Sequence, residues 1–155
     1  MENTNAKSLL EVAEIYLTYK SNVKPSHRPK VNASRDAYKI FLESWDDAKI
    51  ELVEQFKVLL LNRANKAIGL FEASSGSVTG TVADPKLIFA SAIKANACGL
   101  IIAHNHPSGN LKPSEADINL TRKIREGGKL LEIPLLDHLI VTTESYFSFS
   151  DEGML

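Results

Sequence analysis

Hydrophobic residues follow two spacing patterns along the chain. Positions three and four apart predict amphipathic helices, and these stretches are residues 7–19, Ser34 to Trp45, the segment after Asp84-Pro85 and the segment after Ser114. Nearly continuous apolar runs predict strands, and these are residues 56–62, 67–73, 99–104 and 133–142. Helices and strands in this order predict an α/β sandwich.

Local signals refine several of these elements. Ser34 and Asp84 are predicted helix N-caps, and Pro85 suits the first helical position. The polar stretch 63–66 between two apolar runs predicts an antiparallel hairpin, whose first strand, apolar throughout, should be covered on both faces. Residues 21–33, with two prolines, predict an extended connector over the surface.

Composition narrows the class of protein. At 155 residues, with 44% hydrophobic and 24% charged residues, the chain is predicted to form a single globular domain. A net charge of −1 gives no electrostatic reason for strong attraction to nucleic acid. The N-terminus has no signal-sequence pattern, and no apolar run approaches the ~20 residues that span a bilayer. We therefore expect a soluble, cytoplasmic protein without a membrane partner.

The single cysteine, Cys98, cannot form an intrachain disulfide, which agrees with a cytoplasmic location. Because an apolar run follows it, we expect a buried thiol that acts as a small hydrophobic group.

The segment from His104 to Asp117 carries the candidate chemistry. His104 and His106 lie two residues apart where an apolar strand ends, so both imidazoles can point toward one side. Pro107 and the Ser-Gly turn after it break the strand, and Asp117 in the first turn of the next helix can then supply an oxygen. Three such ligands leave a fourth position for water, as in catalytic zinc sites.

Hydrolysis by such a site also needs a proton-transfer group and a donor to the oxyanion. Glu54, just before the predicted central strand, is our candidate for general base; Glu51, Glu72 and Glu115 remain alternatives that spacing does not exclude. The Ser114 hydroxyl could stabilise the oxyanion of a tetrahedral intermediate.

Structural interpretations compete with these assignments. Ser114 and Asp117 also form a capping-box pattern, and an isolated His-x-His pair is often just polar. For His138 a hydrogen-bonded structural role is favoured over a role at the metal, and His27 is expected to be exposed. The cations of the last helix are more typical of a solvated face than of a nucleic-acid site; they are Arg122, Lys123, Arg125 and Lys129.

The spacing His104-x-His106, seven residues, Ser114, two residues, Asp117 resembles the JAMM motif of the JAB/MPN metalloprotease superfamily. Ala-His-Asn-His-Pro-Ser-Gly and the later Leu-Leu-Asp-His-Leu-Ile-Val resemble its RadC-like branch, from about Lys30 onward. The resemblance therefore divides the chain into an N-terminal helix and connector, 1–29, and a metal-binding domain, 30–155.

The resemblance implies a mixed β-sheet flanked by helices, related to cytidine deaminases. It implies that His104, His106 and Asp117 bind Zn²⁺. It also implies that Glu54, in a Glu-x-Phe-x-Val pattern, is the catalytic base, and that Ser114 steadies the tetrahedral intermediate. Two departures are Lys86, where the family usually has Arg, and the lack of the helix-hairpin-helix module that longer relatives carry before this domain.

These observations predict a zinc-dependent peptidase or isopeptidase that uses a metal-activated water on an unknown peptide or protein substrate. The alternative is a nucleic-acid-associated DNA repair or recombination protein with a structural or vestigial metal site. Deamination is disfavoured because the Pro-Cys-x-x-Cys ligands of the deaminases do not occur. The sequence does not predict an oligomeric state.

Overall fold

A computed structural model describes residues 12–76 and 83–155, which form one mixed sheet with helices on both faces. The strands are β1 (Gln55–Leu61), β2 (Ala67–Ser75), β3 (Gly99–Asn105), β4 (Leu135–Val141) and β5 (Tyr146–Ser148). The helices are α1 (Ser34–Ser44), α2 (Pro85–Lys94) and α3 (Glu115–Leu131), and a 3₁₀ turn spans Pro25–His27. The predicted α/β fold with a mixed sheet flanked by helices is confirmed.

The strand order is β2-β1-β3-β4-β5, with β3 and β4 parallel and the other neighbours antiparallel. Strands β1 and β2 form the predicted hairpin. Every residue of β1 and β3 is buried, as expected for strands covered on both faces. The carboxyl ends of the parallel strands β3 and β4 lie at the same end of the sheet, and β3 ends there in the polar residues His104 and Asn105.

Alternation along the strands creates two hydrophobic cores, one on each face. On one face, Phe56, Val58, Leu100 and Ile102 pack with residues of α2 and α3. On the other face, Leu59, Leu61, Ile101 and Ala103 pack with residues of α1. We call these the α3 face and the α1 face.

The helix boundaries agree with the predictions except at one cap. Asp84 caps α2 by accepting a hydrogen bond from the Lys86 amide (2.9 Å), and Pro85 is the first helical residue. Ser34 is not the N-cap of α1: that position is Ala33, and the Asp36 carboxylate accepts from the Ala33 amide (3.1 Å) instead. The Ser34 hydroxyl donates to Asp151, a partner distant in sequence.

The helix predicted over residues 7–19 is wrong for its described part, residues 12–19, which contains no helical turn; residues 7–11 lie outside the described residues. Four large side chains of this part are 74–84% exposed: Val12, Ile15, Tyr16 and Leu17. An amphipathic helix needs a surface to cover its apolar stripe, because a short isolated helix is marginal in water.

Two other features differ from expectation. Cys98 is exposed rather than buried, because it sits in the bend before β3 begins at Gly99. Strand β5 was not predicted; its three residues, Tyr146–Ser148, pair with β4, and so short a strand shows little alternation.

Within the residues that the structure covers, no helix combines the length and the apolar character needed to cross a membrane.

Candidate metal centre

The two histidines of the predicted motif converge at the carboxyl end of β3. His104 is the penultimate residue of β3, pairs with Phe56 of β1 and Ile140 of β4, and is 1% exposed. His106 follows the strand, and its amide donates to the Val141 carbonyl (3.3 Å). The two Nε2 atoms are 3.0 Å apart, so the imidazoles meet at one point, as the spacing predicts.

The turn after β3 fixes the ring of His106. The Gly109 amide donates to the His106 carbonyl (2.9 Å), and Gly109 has a positive φ of 79°, which favours glycine. This turn brings the Asn110 carbonyl to 2.5 Å from His106 Nδ1. Because a carbonyl oxygen can only accept, Nδ1 must carry the proton. In the neutral ring, Nε2 therefore presents a lone pair to His104.

Helix α3 delivers Asp117 to the same point. Its Oδ1 lies 3.2 Å from His104 Nε2 and its Oδ2 lies 3.8 Å from His106 Nε2. Burial opposes ionisation of this carboxyl. The contact with His104, together with the N–H and O–H of Ser114, outweighs that effect and holds the pKa of Asp117 well below its usual range. Asp117 is therefore an anion beside the two imidazoles.

Ser114 orients that carboxylate as the N-cap of α3. Its hydroxyl and its amide both donate to Asp117 Oδ2, each at 2.7 Å, and its Oγ accepts from the Asp117 amide. The capping box that competed with the catalytic interpretation is thus present. The hydroxyl proton points at Asp117, so a role of Ser114 toward an oxyanion remains a prediction and would require this bond to be released.

Glu54, immediately before β1, is the carboxylate that joins the histidines among the glutamates considered. Its Oε1 lies 4.0 Å from Nε2 of both His104 and His106. Glu72 instead accepts from the side-chain NH₂ of Gln55 (3.1 Å), and Glu51 accepts from the Thr143 hydroxyl (3.3 Å). Glu115, at the start of α3, is exposed.

Asn105 holds the backbone around Glu54, although our sequence analysis did not single it out. It points to the α1 face, between the two histidines in sequence, and is fully buried. Its side-chain oxygen accepts from the Gln55 amide (2.7 Å), and its NH₂ donates to the carbonyls of Ile50 (2.7 Å) and Val53 (2.8 Å). A buried Asn needs such hydrogen-bond partners. An Asn inside an apolar strand is therefore a sequence signal for a structural role.

His138 is buried behind His104 and contacts no solvent. Its Nε2 lies 2.8 Å from His104 Nδ1, and its Nδ1 lies 2.6 Å from the Thr121 hydroxyl. The structural role that we favoured therefore places His138 in contact with a candidate ligand. Thr121, which the sequence analysis missed, has no motif that marks it; only its place one helical turn after Asp117 could have suggested it.

The donor set of the cluster fits a divalent cation such as zinc. Glu54, His104 and His106 each offer a ligand atom, all within 4.8 Å of one another, and could hold a metal ion. Asp117 Oδ1 lies 3.2 Å from His104 Nε2, closer than Glu54 Oε1 at 4.0 Å. In a tetrahedral zinc site with Zn–N bonds of 2.0–2.1 Å, two nitrogens lie about 3.3 Å apart, close to the 3.0 Å seen here.

The chain is similar to known proteins over most of its length. A family model described as a RadC-like JAB domain matches residues 31–154. The chain is 42% identical over 125 residues to a UPF0758 protein of Flavobacterium johnsoniae, covering 81% of this chain and 53% of that protein. It is 36% identical over 148 residues to a UPF0758 protein of Clostridium botulinum, covering 96% of this chain and 62% of that protein.

A third relative, a UPF0758 protein of Thermosynechococcus vestitus, is 47% identical over 105 residues, which are 68% of this chain and 42% of that protein. The chain thus spans about half the length of the curated relatives that it matches.

Proposed function

The chain belongs to the RadC-like JAB domain family, and on that premise we propose that it is a zinc-dependent hydrolase of amide bonds, a peptidase or isopeptidase. The observation that carries the proposal is the convergence of two imidazole Nε2 atoms, 3.0 Å apart, beside two carboxylates. Two nitrogens and one carboxylate oxygen, with a position left for water, form a catalytic zinc site. We assign His104, His106 and Asp117 as the ligands.

Zinc at this point would supply Lewis acidity, lowering the pKa of a coordinated water to about 7. Asp117 suits the ligand role because Ser114 holds its Oδ2 while its Oδ1 faces His104 at 3.2 Å. A carboxylate fixed through one oxygen presents the other in a defined direction, which a ligand requires.

Glu54 is proposed as the general base that removes a proton from water and returns it to the leaving nitrogen. Its carboxylate lies at the same distance, 4.0 Å, from both imidazole Nε2 atoms. Asn105 bonds to the backbone on both sides of Glu54, at Val53 and Gln55. A base held this way keeps its position during proton transfer.

A solvent-open cleft of about 240 Å³ lies beside His106, lined by residues 50–51, 106–109 and 142–144. We propose that a segment of a peptide or protein substrate lies there, next to the metal. The nucleic-acid alternative has less support, because Arg122 and Lys129 on α3 bond to Asn119 and Glu126 of the same helix, as on a solvated face.

Elemental analysis of protein purified without chelators or metal-affinity tags tests the site. We expect about one zinc per chain in the wild type and in Glu54→Gln, and loss of zinc in Asp117→Ala. Zinc lost from Glu54→Gln but kept by Asp117→Ala would exchange the ligand and base assignments. Absence of zinc from the wild type, even after zinc is supplied, would exclude the hydrolase.

Activity is then tested with libraries of fluorogenic peptides and of lysine-linked isopeptides. We expect hydrolysis that a chelator abolishes and that Glu54→Gln lowers by roughly 10²–10⁴-fold while zinc stays bound. Equal hydrolysis by wild type and Glu54→Gln would remove Glu54 from the mechanism. Nucleic-acid affinity that falls steeply with salt, without hydrolysis of any peptide, would instead favour the binding protein.

A further inference from the structure

Behind His104, three side chains are linked in a buried series that leads away from the metal point. His104 Nδ1 is 2.8 Å from His138 Nε2, His138 Nδ1 is 2.6 Å from Thr121 Oγ1, and Thr121 Oγ1 is 2.6 Å from the Asp117 backbone carbonyl. His104, Thr121 and His138 are all buried. The series therefore begins at one candidate ligand and ends at the main chain of another.

Aromatic rings enclose the two imidazoles of this series. Phe149 stacks on His138 with ring centroids 4.6 Å apart, and Phe56 stacks on His104 at 6.0 Å. These walls are apolar, so the ring nitrogens bond to one another and to Thr121. His138 is fully buried and its ring nitrogens contact His104 and Thr121, neither of which is an anion, so the ring is neutral, with one donor and one acceptor nitrogen.

The last contact of the series sets the direction of all the others. The Asp117 carbonyl can only accept, so the single proton of the Thr121 hydroxyl lies between the two oxygens, as is common four residues along a helix. Thr121 Oγ1 must then accept from His138 Nδ1–H. His138 Nε2 is left with a lone pair and accepts from His104 Nδ1–H.

We propose that Thr121 and His138 are positioning residues that hold His104 in the Nδ1–H tautomer, so that its Nε2 presents a lone pair to the metal. The inference rests on the proposed metal site. His106 reaches the same state through the Asn110 carbonyl. Each imidazole thus donates its Nδ1–H to an acceptor outside the site. For His104 that acceptor is the His138 ring, whose own tautomer is set by Thr121.

The opposite direction places protons where the metal binds. Thr121 would donate to His138 Nδ1, and His138 Nε2–H would donate to His104 Nδ1, which leaves a proton on His104 Nε2. The Thr121 and Asp117 oxygens, 2.6 Å apart, would then face each other with no proton between them. That repulsion favours the direction that frees His104 Nε2. A cation bound there would offset the repulsion of this lone pair by Asp117 Oδ1 at 3.2 Å and His106 Nε2 at 3.0 Å.

Thr121→Val tests the proposal, with Thr121→Ser as its matched control. Valine keeps the shape of threonine but offers no acceptor, so His138 Nδ1–H loses its partner and the opposite direction becomes favoured. We expect zinc affinity, measured by competition with a chromogenic chelator, to fall roughly 10–100-fold in Thr121→Val. Thr121→Ser keeps the hydroxyl, and we expect its affinity to stay within about threefold of the wild type.

Nitrogen NMR of the histidine rings in metal-free protein reads the tautomers directly. We expect the Nδ1–H form of His138 in the wild type and in Thr121→Ser, and the Nε2–H form in Thr121→Val. An Nε2–H form of His138 in the wild type would overturn the proposal, and this measurement needs no variant to fold. Equal zinc affinities of the valine and serine variants would overturn it as well.

Failure of this inference is distinguishable from failure of the proposed function. A wild type that binds no zinc removes the hydrolase, while the ring tautomers still report the direction of the series. A wild type that binds zinc, with His138 in the Nε2–H form, keeps the metal site and removes only the roles of Thr121 and His138.

Discussion

Each face of the sheet buries one polar side chain near the end of β3 and one in the middle of β4, and these side chains form different bonds on the two faces. On the α3 face, His104 and His138 bond to each other, and the series leads to the point where the imidazole Nε2 atoms meet. On the α1 face, Asn105 bonds to three backbone groups, and Asp137 accepts from two amides and the Ser148 hydroxyl. His104 and Asn105 are neighbours in sequence, as are Asp137 and His138, yet the alternation of side chains along a strand places the members of each pair on opposite faces.

The difference separates a functional polar cluster from a structural one. Asn105 uses its oxygen and its NH₂ on the chain around it, so it offers nothing further to a ligand. His104 keeps its Nε2 directed toward another imidazole and a carboxylate at 3.0 and 3.2 Å. Buried polar groups are normally paired within the protein, so acceptors that converge on one point indicate a cation.

The largest stability effect is expected from Asn105→Ala on the α1 face. It leaves the Gln55 amide and the Ile50 and Val53 carbonyls without their partner, so we expect the free energy of unfolding in urea to fall by about 3 kcal/mol. Zinc affinity should change little, because the side chain points away from the histidines. A variant that keeps its stability but loses zinc would contradict the division between the faces.

The matched control for Asn105→Ala is Asn62→Ala. The Asn62 side chain also bonds to backbone, at the amides of Ala64 and Lys66 (both 3.0 Å), but in an accessible turn. Water can replace those bonds, so we expect a loss of only about 1 kcal/mol or less.

A smaller effect is expected from pH, with opposite signs for the two buried aspartates. The pKa of Asp117 lies below its ordinary 3.8, so its ionised form stabilises the fold above that pH, and this stability is lost as the pH falls. Burial raises the pKa of Asp137, against hydrogen bonds from Ser148, Ser150 and His138. Ionisation of Asp137 therefore opposes folding, and the contribution of Asp137 to stability increases as the pH falls.

Urea unfolding of metal-free protein between about pH 3 and pH 7 checks these signs. Relative to wild type, Asp117→Asn should become less stable as the pH rises, and Asp137→Asn should become more stable, each by on the order of 1 kcal/mol. Parallel pH profiles of the two variants would show that the carboxyls share one kind of environment and would break the contrast.

The smallest effect is expected from Lys57→Met, also on the α1 face. The ammonium donates to the Ser44 carbonyl (2.7 Å) at the end of α1 and lies 4.5 Å from the centroid of the Trp45 ring. Burial lowers the pKa of Lys57, so the gain from these contacts is offset by desolvation. We expect the stability to change by less than about 1 kcal/mol.

Lys57→Ala separates the alkyl chain from the charge. It removes the buried methylenes as well, and we expect a loss of about 2 kcal/mol in the same unfolding measurement. A loss for Lys57→Met as large as that for Lys57→Ala would assign the stabilisation to the ammonium instead of the stem.

Most of the fold was predictable because its elements are long or carry local signals. The continuous apolar runs of β1 and β3 and the Asp84-Pro85 start of α2 are such signals. The helix over residues 7–19 was predicted from an apolar stripe, but a stripe does not state whether a surface is available to cover it. Ser34 was predicted as a cap, yet Asp36 supplied the hydrogen bond from two residues further along.

The candidate site was predictable only where spacing brings residues together. His104 and His106 share a strand end, and Ser114 and Asp117 share a helical turn, so local geometry sufficed for each pair. Contacts across the sheet depend on register, which spacing does not give. The approach of Thr121 and His138 to His104 needs β4 to lie parallel to β3 and α3 to cover them both, and the sequence alone left these relations open.

Cys98 sits at the opposite end of β3 from the histidines, exposed, and it is the single cysteine of the chain. A strand of this length separates the thiol from His104 by about 20 Å, a span well suited to resonance energy transfer and to electron spin measurements. One maleimide dye or nitroxide therefore labels a unique position without mutagenesis. When paramagnetic Co²⁺ or Cu²⁺ binds at the imidazoles of the labelled protein, the distance between the metal ion and the label can be measured.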